Sequence, residues 1–463
     1  MRATFALKLG LARAAGALSR LRGGGATSAP GKVLLKLAPD ALSVLSGRLP
    51  KGSMLISATN GKTTTAALTA SVMRAAGIEP VHNQAGANMA GGIASTLLAA
   101  TGPRGSIAGE LGLFEVDEFW LERLVGELKP KAIVLGNLFR DQLDRYGELD
   151  TIAERWADTV QDGAGRGARL VCNADDPLVA DLGREHPDVV YFGVQDDSLA
   201  LEGIAHAADA KHCRRCGEPY EFEAVYLGHL GRYHCPSCGQ RRPSPTVLAE
   251  SVVLEGVRGA RFRLRTPEGS AEVELALPGL YNVYNALAAA ALAAALEIPL
   301  ERIVEGLADA TAAFGRAETV TIAGRAAKIM LVKNPVGASE VLRTLALEPG
   351  RHDLLTVLND ATADGHDVSW IWDADFELLA DRTRVVTCSG TRAPELALRL
   401  KYAGVEPDRI EVEEDLARAL TAATERRPSE DGSAPLYVLP TYTAMLALRG
   451  LLVARGEARS SWL

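Results

Sequence analysis

Thr59-Asn60-Gly61-Lys62-Thr63-Thr64 carries the parts of a phosphate-binding loop. The glycine lets the backbone approach an anion and amides at a helix start face it. The lysine reaches the outer phosphates, and the Thr63 hydroxyl can reach Mg²⁺. The general G-x-x-x-x-G-K-[ST] pattern is not met, because Ile56 stands at the first glycine position. The setting, a short apolar run before the loop and an Ala-rich helical stretch after it, favours a nucleotide site over a plain strand-to-helix turn. Glu115 ends another apolar run and offers the hard oxygen that would complement Thr63 at Mg²⁺. Four of the six cysteines form Cys213-x-x-Cys216 and Cys235-x-x-Cys238, with residues 217–234 between them. That spacing suits zinc, and four thiolates close a tetrahedral shell, so the metal would be structural. Arg214, Arg215, Arg232, Arg241 and Arg242 suit either nucleic acid or simple solvation of a small insert.

These groups need scaffolding, and the chain alternates in the way that supplies it. Apolar runs at Met54 to Ala58, Leu113 to Asp117, Ala132 to Asn137 and Leu170 to Asp175 alternate with helical stretches, which predicts a mostly parallel, doubly wound sheet. Residues 211–243 break the pattern as a Cys-, Gly- and Arg-rich insert. Short strands follow over 246–278, then an Ala-rich helix from Tyr284 to Ala295. A second α/β pattern has strands at Ile329 to Val332, Leu354 to Leu358, Val385 to Ser389 and Tyr437 to Pro440, and a helix at Ala393 to Tyr402. The boundary falls near 316–325, giving an N-terminal helical and basic segment (1–50), a central domain (51–318) and a C-terminal α/β domain (319–463). Residues 425–435 read as a polar surface loop.

With 463 residues, 47% hydrophobic and 23% charged, the chain has ample material for two or three cores. Its net charge of -8 argues against nucleic acid as a partner. No apolar stretch approaches the ~20 residues of a membrane span. Lys8 and Arg13 interrupt the N-terminal apolar run, so the expectation is a cytoplasmic protein, without an export signal. The first helix either packs on the body or lies weakly on the inner face of a membrane.

The loop, read as ATNGKTTT, resembles the GTNGKTTT loop of the Mur ligase superfamily, with Ala58 in place of the usual first glycine. Those are ATP-dependent enzymes that build peptidoglycan stems and polyglutamylate folate. The resemblance implies a Mur-ligase-type central ATPase domain and a Rossmann-like C-terminal domain. It implies ATP contacts for Thr59, Asn60, Gly61, Lys62, Thr63 and Thr64, and Mg²⁺ ligation by Thr63 and Glu115. Asn173-Ala-Asp-Asp-Pro177 resembles the family's central turn. Asn282 and Asn285 match the asparagines before its Ala-rich helix, and Arg316 its interdomain arginine; Asn285 is the expected nucleotide contact of the two asparagines.

A four-cysteine ribbon within such a domain is similar to the MurT ligases, which work with the glutaminase GatD. HNQAGANMAGG, NLFRDQLDRYGELD and the Asn359 to Asp373 segment extend that resemblance over essentially the whole chain. It implies amidation of the D-glutamate α-carboxylate in a lipid-linked peptidoglycan precursor through an acyl phosphate, with ATP, Mg²⁺ and structural Zn²⁺. It also implies a heterodimer with a glutaminase that supplies ammonia. Cys172 and Cys388 lie in apolar runs and read as buried small hydrophobes, so the glutaminase nucleophile must come from the partner. The resemblance implies that Asp367 completes the partner's Cys-His pair, with Asp364 as the alternative; capping aspartates near Gly365 are the plainer reading. Two rivals are a stand-alone Mur-type amino-acid ligase and a nucleotide-switched zinc-ribbon binding protein.

Overall fold

In the computed structural model the described residues are 3–21, 28–83, 86–102, 105–141, 149–203, 208–310, 316–426 and 434–458. The first sheet begins with β1 (Ser53–Ser57), β2 (Pro80–His82), β3 (Leu111–Glu115), β4 (Ala132–Leu135), β5 (Arg169–Asn173) and β6 (Val189–Val194), all parallel. The hairpin of β7 (Glu221–Leu227) and β8 (Leu230–His234) stands outside it. β9 (Val247–Leu254) joins β6 in parallel, and β10 (Ala260–Thr266) and β11 (Gly269–Leu275) extend the edge antiparallel. The order is β11-β10-β9-β6-β5-β4-β1-β3-β2. The chain leaves β1 for the far edge, returns to β3 and then crosses to β4, so the order reverses around β1. A crevice at the carboxyl ends of strands opens where this happens, which is where open α/β sheets bind ligands.

β1 stops at Ser57, one residue short of the expected Ala58, β3 and β5 stop two residues short of Asp117 and Asp175, and β4 stops at Leu135, two short of Asn137. The backbone there turns from ladder to loop: Gly136 still donates to the Ser57 carbonyl at 2.9 Å, and the next carbonyl, that of Asn137, accepts from Thr59 N–H at 2.9 Å. Helix Leu280–Ala295 starts four residues before the expected Tyr284 and is buried along nearly its whole length. Its alanines permit close approach to helix Lys62–Ala75. Helix Leu300–Ala308 presses on that helix from another side, where a Cβ on Gly306 would lie 2.3 Å from the Val72 Cα. The phosphate-loop helix is thus clamped by two others.

Three helices precede the sheet, Ala3–Leu21, Ala29–Leu37 and Ala41–Ser46. Leu9, Leu34, Leu42 and Leu45 share one apolar core with Leu55, Ile133 and Trp156. The second sheet comprises β12 (Arg316–Ile322), β13 (Arg325–Met330), β14 (His352–Val357), β15 (Thr383–Ser389), β16 (Ile410–Val412) and β17 (Leu436–Pro440). Its order is β12-β13-β17-β14-β15-β16, parallel except for the β12–β13 pair. The expected helix Ala393–Tyr402 is present with those bounds. Of the expected polar loop, residues 427–433 lie outside the described residues.

Candidate active site

Gly61 caps helix Lys62–Ala75 with φ of 88°, in the left-handed region, and no side chain caps the helix start. The first-turn amides therefore remain available to an anion. Asn137 braces the loop: Asn60 N–H donates to its Oδ1 at 2.8 Å, and its Nδ2 donates to the Asn60 carbonyl at 3.0 Å. The Thr59 hydroxyl accepts from Phe139 N–H at 3.1 Å. Thr59 and Thr64 are buried and Thr63 is half-buried.

A Cβ on Gly61 would lie 2.0 Å from Asn285 Oδ1. Asn285 is held in turn, donating to Asn282 Oδ1 at 3.0 Å and accepting from Thr65 Oγ1 at 3.3 Å. Asn282 donates to the Pro278 carbonyl at 2.7 Å, a structural bond. Gly61→Ala meets both an unfavourable φ and this clash. It is expected to cost about 1–3 kcal/mol of stability in urea unfolding, and Asn285→Ala in the same chain should return part of that loss.

Lys62 Nζ lies 2.9 Å from Glu118 Oε2 and also bonds the Ala58 carbonyl. Burial alone would lower this ammonium, but Glu118, Glu115 and Asp117 outweigh it and hold Lys62 above its ordinary value. The lysine is a fixed cation at neutral pH. Glu115 is 3% exposed at the end of β3, with its N–H and carbonyl both bonded by Asn83. Its carboxylate accepts no hydrogen bond among the described residues. A buried carboxylate without hydrogen-bond donors, near enough to Lys62 to raise it, offers the hard oxygen that a divalent cation takes.

The C-terminal domain reaches into the same place. Asn334 Nδ2 donates to Asn60 Oδ1 at 2.9 Å, and Lys333 pairs with Asp141. A cleft runs from Asn60 and Gly61 between the domains, walled by Phe139, Leu230, Tyr281, Met330 and Val336, and Asn285 lines it. An apolar slot ending at a phosphate loop suits a nucleotide base and its phosphates. The Arg316 side chain and residues 311–315 lie outside the described residues.

Two wall residues, Leu227 and Leu230, belong to the cysteine-rich insert. The insert is fastened to the sheet through the Asn173 to Pro177 turn. Asp175 accepts from Arg242 at 2.6 Å, Val194 N–H at 2.8 Å and Tyr284 at 2.7 Å. Asp176 accepts from Leu138 N–H at 2.8 Å and lies 3.5 Å from fully buried His229. At the far end the Sγ atoms of Cys213, Cys216, Cys235 and Cys238 all lie within 4.8 Å of one another. Tetrahedral thiolates on a metal at roughly 2.3 Å are about 3.8 Å apart, so the four can hold one ion.

Beyond Lys333 a second cleft of about 520 Å³ is lined by Arg140, Asp141, Asp364, Asp367, Trp370 and Asp373. Lys333 lines both clefts. Asp367 is exposed; its Oδ1 accepts from Ser369 N–H at 2.8 Å, and the Ser369 hydroxyl and amide hold the carboxyl below its usual range. Asp364 is 6% exposed and spends its oxygens on the Thr443 amide and hydroxyl. Nearby, Trp372 is exposed and lies 5.8 Å from the exposed Tyr402 ring, whereas Trp370 packs against the domain core. Cys172 and Cys388 are buried, and burial pushes both thiols up, Cys388 to about 12.

A model of the Mur ligase middle domain matches residues 56–234, and one of the MurT ligase C-terminal domain matches 331–445. The chain is 34% identical over 444 residues to the lipid II isoglutaminyl synthase (glutamine-hydrolyzing) subunit MurT of Streptococcus pneumoniae, covering 96% of this chain and 95% of that one. The chain belongs to the MurT family. The corresponding Staphylococcus aureus subunit is 34% identical over 94% of both chains. Among solved structures, a pseudomurein peptide ligase type C from Methanothermus fervidus superposes with a TM-score of 0.65 at 22% identity, over 89% of this chain and 80% of that one. MurF ligase from Thermotoga maritima in complex with ADP gives 0.62 at 14% identity, over 92% and 84%. The shared fold is that of the Mur ligases, with the four-cysteine cluster and the C-terminal α/β domain of the expected architecture. Like its MurT relatives, the chain is a Mur-type ligase.

The motifs single out the phosphate loop, Glu115, Asn285, the cysteines and Asp367 but miss Glu118, Asn137, Lys333 and Asn334. For Glu118 a signal existed, since it stands three residues after Glu115 in the same acidic run. Asn137 opens the NLFRD segment, whose resemblance to the MurT ligases carries no sign of its bond to the loop. Nothing local marks Lys333 or Asn334. Of HNQAGANMAGG and NLFRDQLDRYGELD, residues 84–85 and 142–148 lie outside the described residues.

Proposed function

We propose that this chain is the ligase subunit of a glutamine-dependent amidating enzyme that converts the D-glutamate α-carboxylate of the lipid II stem peptide to the D-isoglutamine amide. The relatives it matches over nearly their full length carry that activity in their names. Bound MgATP would supply the phosphoryl group that turns an unreactive carboxylate into an acyl phosphate, which ammonia then attacks. Lys62 and the first-turn amides neutralise charge on the phosphates, and Thr63 and Glu115 hold the cation. Asn285 of the central domain and Asn334 of the C-terminal domain fix the loop from either side of the domain interface.

The observation that carries the two-subunit reading is that Lys333 lines both clefts. An ionised, exposed Asp367 lines one of them and the phosphate loop lines the other. A partner glutaminase resembling GatD, docked with its histidine on Asp367, would release ammonia beside Lys333. Asp364 is a poorer candidate because its oxygens are already bonded to Thr443. The test is amide formation on a lipid-linked muropeptide by this chain with its glutaminase, with glutamine and with free ammonium. ATP hydrolysis without amide from either nitrogen source would overturn the reading.

The cysteine cluster we assign to one structural zinc ion. Because Leu227 and Leu230 of the same insert wall the nucleotide cleft, the ion acts at a distance on ATP binding. Removing it with a chelator, or Cys213→Ser, is expected to lower the melting temperature and weaken ATP binding about tenfold or more, measured by scanning and titration calorimetry. One zinc per chain by elemental analysis is the companion result, and none would sink the assignment.

A further inference from the structure

Helix Ala3–Leu21 turns one apolar face to the body and a second one away from it. Leu9, Ala12 and Gly16 are buried, and a Cβ on Gly16 would lie 2.7 Å from Pro30 Cγ. Arg13 fastens this side by donating to the carbonyls of Leu98 and Thr101. At 100° per residue, Leu7, Leu11, Ala14 and Leu18 fall in one stripe about 180° around from the buried one. The three leucines are 67%, 51% and 51% exposed. Single exposed leucines need no explanation, but a stripe at helical spacing does.

Charge identifies what covers it. Residues 1–39 contain Arg2, Lys8, Arg13, Arg20, Arg22, Lys32 and Lys36 and no acid before Asp40, in a chain whose net charge is -8. Lys32 and Lys36 are exposed on the adjoining helix Ala29–Leu37, and neither they nor Lys8 has an ion-pair partner among the described residues. A second copy seated symmetrically on this face would bring like charges together. No helix of the described residues is long and apolar enough to cross a membrane. An apolar stripe flanked by lysines, on a helix that cannot span, is the pattern of a helix lying in a bilayer interface.

We propose that the Leu7–Leu11–Leu18 face docks the chain on an anionic lipid surface, with Lys8, Lys32 and Lys36 against the headgroups and the acidic remainder held away. The proposal stands independently of the amidation reading. The experiment is flotation of the full chain with vesicles of phosphatidylcholine containing phosphatidylglycerol, and with phosphatidylcholine alone. Binding is expected on the anionic vesicles and should fall as salt is raised. The triple change Leu7→Ser, Leu11→Ser, Leu18→Ser should weaken it about tenfold or more at an unchanged melting temperature. Lys8→Gln, Lys32→Gln, Lys36→Gln should remove the preference for anionic lipid. Three results would overturn the proposal. The wild type could fail to float, the serine variant could float equally well, or the wild type could be a dimer that the serine variant converts to monomer.

Discussion

Lys62→Met is expected to reduce ATP-dependent acyl-phosphate formation by about 10²- to 10³-fold, the usual cost of losing one preorganised charge at a phosphoryl-transfer site. The substitution also takes from part-buried Glu118 its partner at 2.9 Å, leaving it beside Asp117 with Lys333 as the more distant cation. Breaking one half of a fully buried pair costs about 3–5 kcal/mol, so the single variant should also melt early, by up to that amount. That would confuse a chemical loss with an unfolding one. The double variant Lys62→Met, Glu118→Gln separates them. Neutralising the partner removes the stranded charge, so stability should return while turnover does not. Urea unfolding measures the first and phosphate release at saturating substrate the second. If the double variant recovers both, Lys62 serves the fold and not the phosphates.

The second large effect is at Asp367. Asp367→Asn keeps the shape and a hydrogen-bond acceptor for Ser369 but removes the charge that would orient and stabilise a partner imidazolium. Glutamine-dependent amidation by the complex is expected to fall about 10³- to 10⁴-fold, while ammonium-dependent amidation stays near the wild-type rate. Asp364→Asn should behave differently. Its oxygens hold the Thr443 amide and hydroxyl at the start of helix Tyr442–Ala454, so its loss should lower stability and reduce both nitrogen sources together. Rates with the two donors, measured side by side for both variants, distinguish the roles. Equal loss with ammonium in Asp367→Asn would place that residue in the ligase half and not at the glutaminase.

Much of the fold is legible in the chain because it rests on local quantities. β1, β3, β4, β5, β14, β15 and β17 are strands of four to seven residues, each built around a short apolar run flanked by turn chemistry. The cysteine cluster is legible for the same reason, since each pair sits within one turn and the metal needs only the two turns to meet. β2 and β16 have three residues each, too short for any period to register, and their place is decided by neighbouring strands. β12 begins inside the interval assigned to a boundary, because pairing with β13 draws the linker into the second sheet.

The sequence by itself determined the family, the Thr59–Thr64 loop before its helix, the carboxylate at the end of β3 and the four-cysteine cluster, each encoded within a few residues by side-chain type and spacing. Tertiary structure alone decided how they work together. It put Asn334 on Asn60 across 274 residues, Leu230 of the ribbon in the nucleotide wall, and Lys333 between the loop and Asp367. It also separated Asp364 from Asp367, two aspartates three positions apart, by burying one against Thr443 and leaving the other exposed. Spacing cannot express such facts, because they depend on how two sheets distant in sequence pack. The energy of that packing is spread over many distant contacts, none of which leaves a local signature.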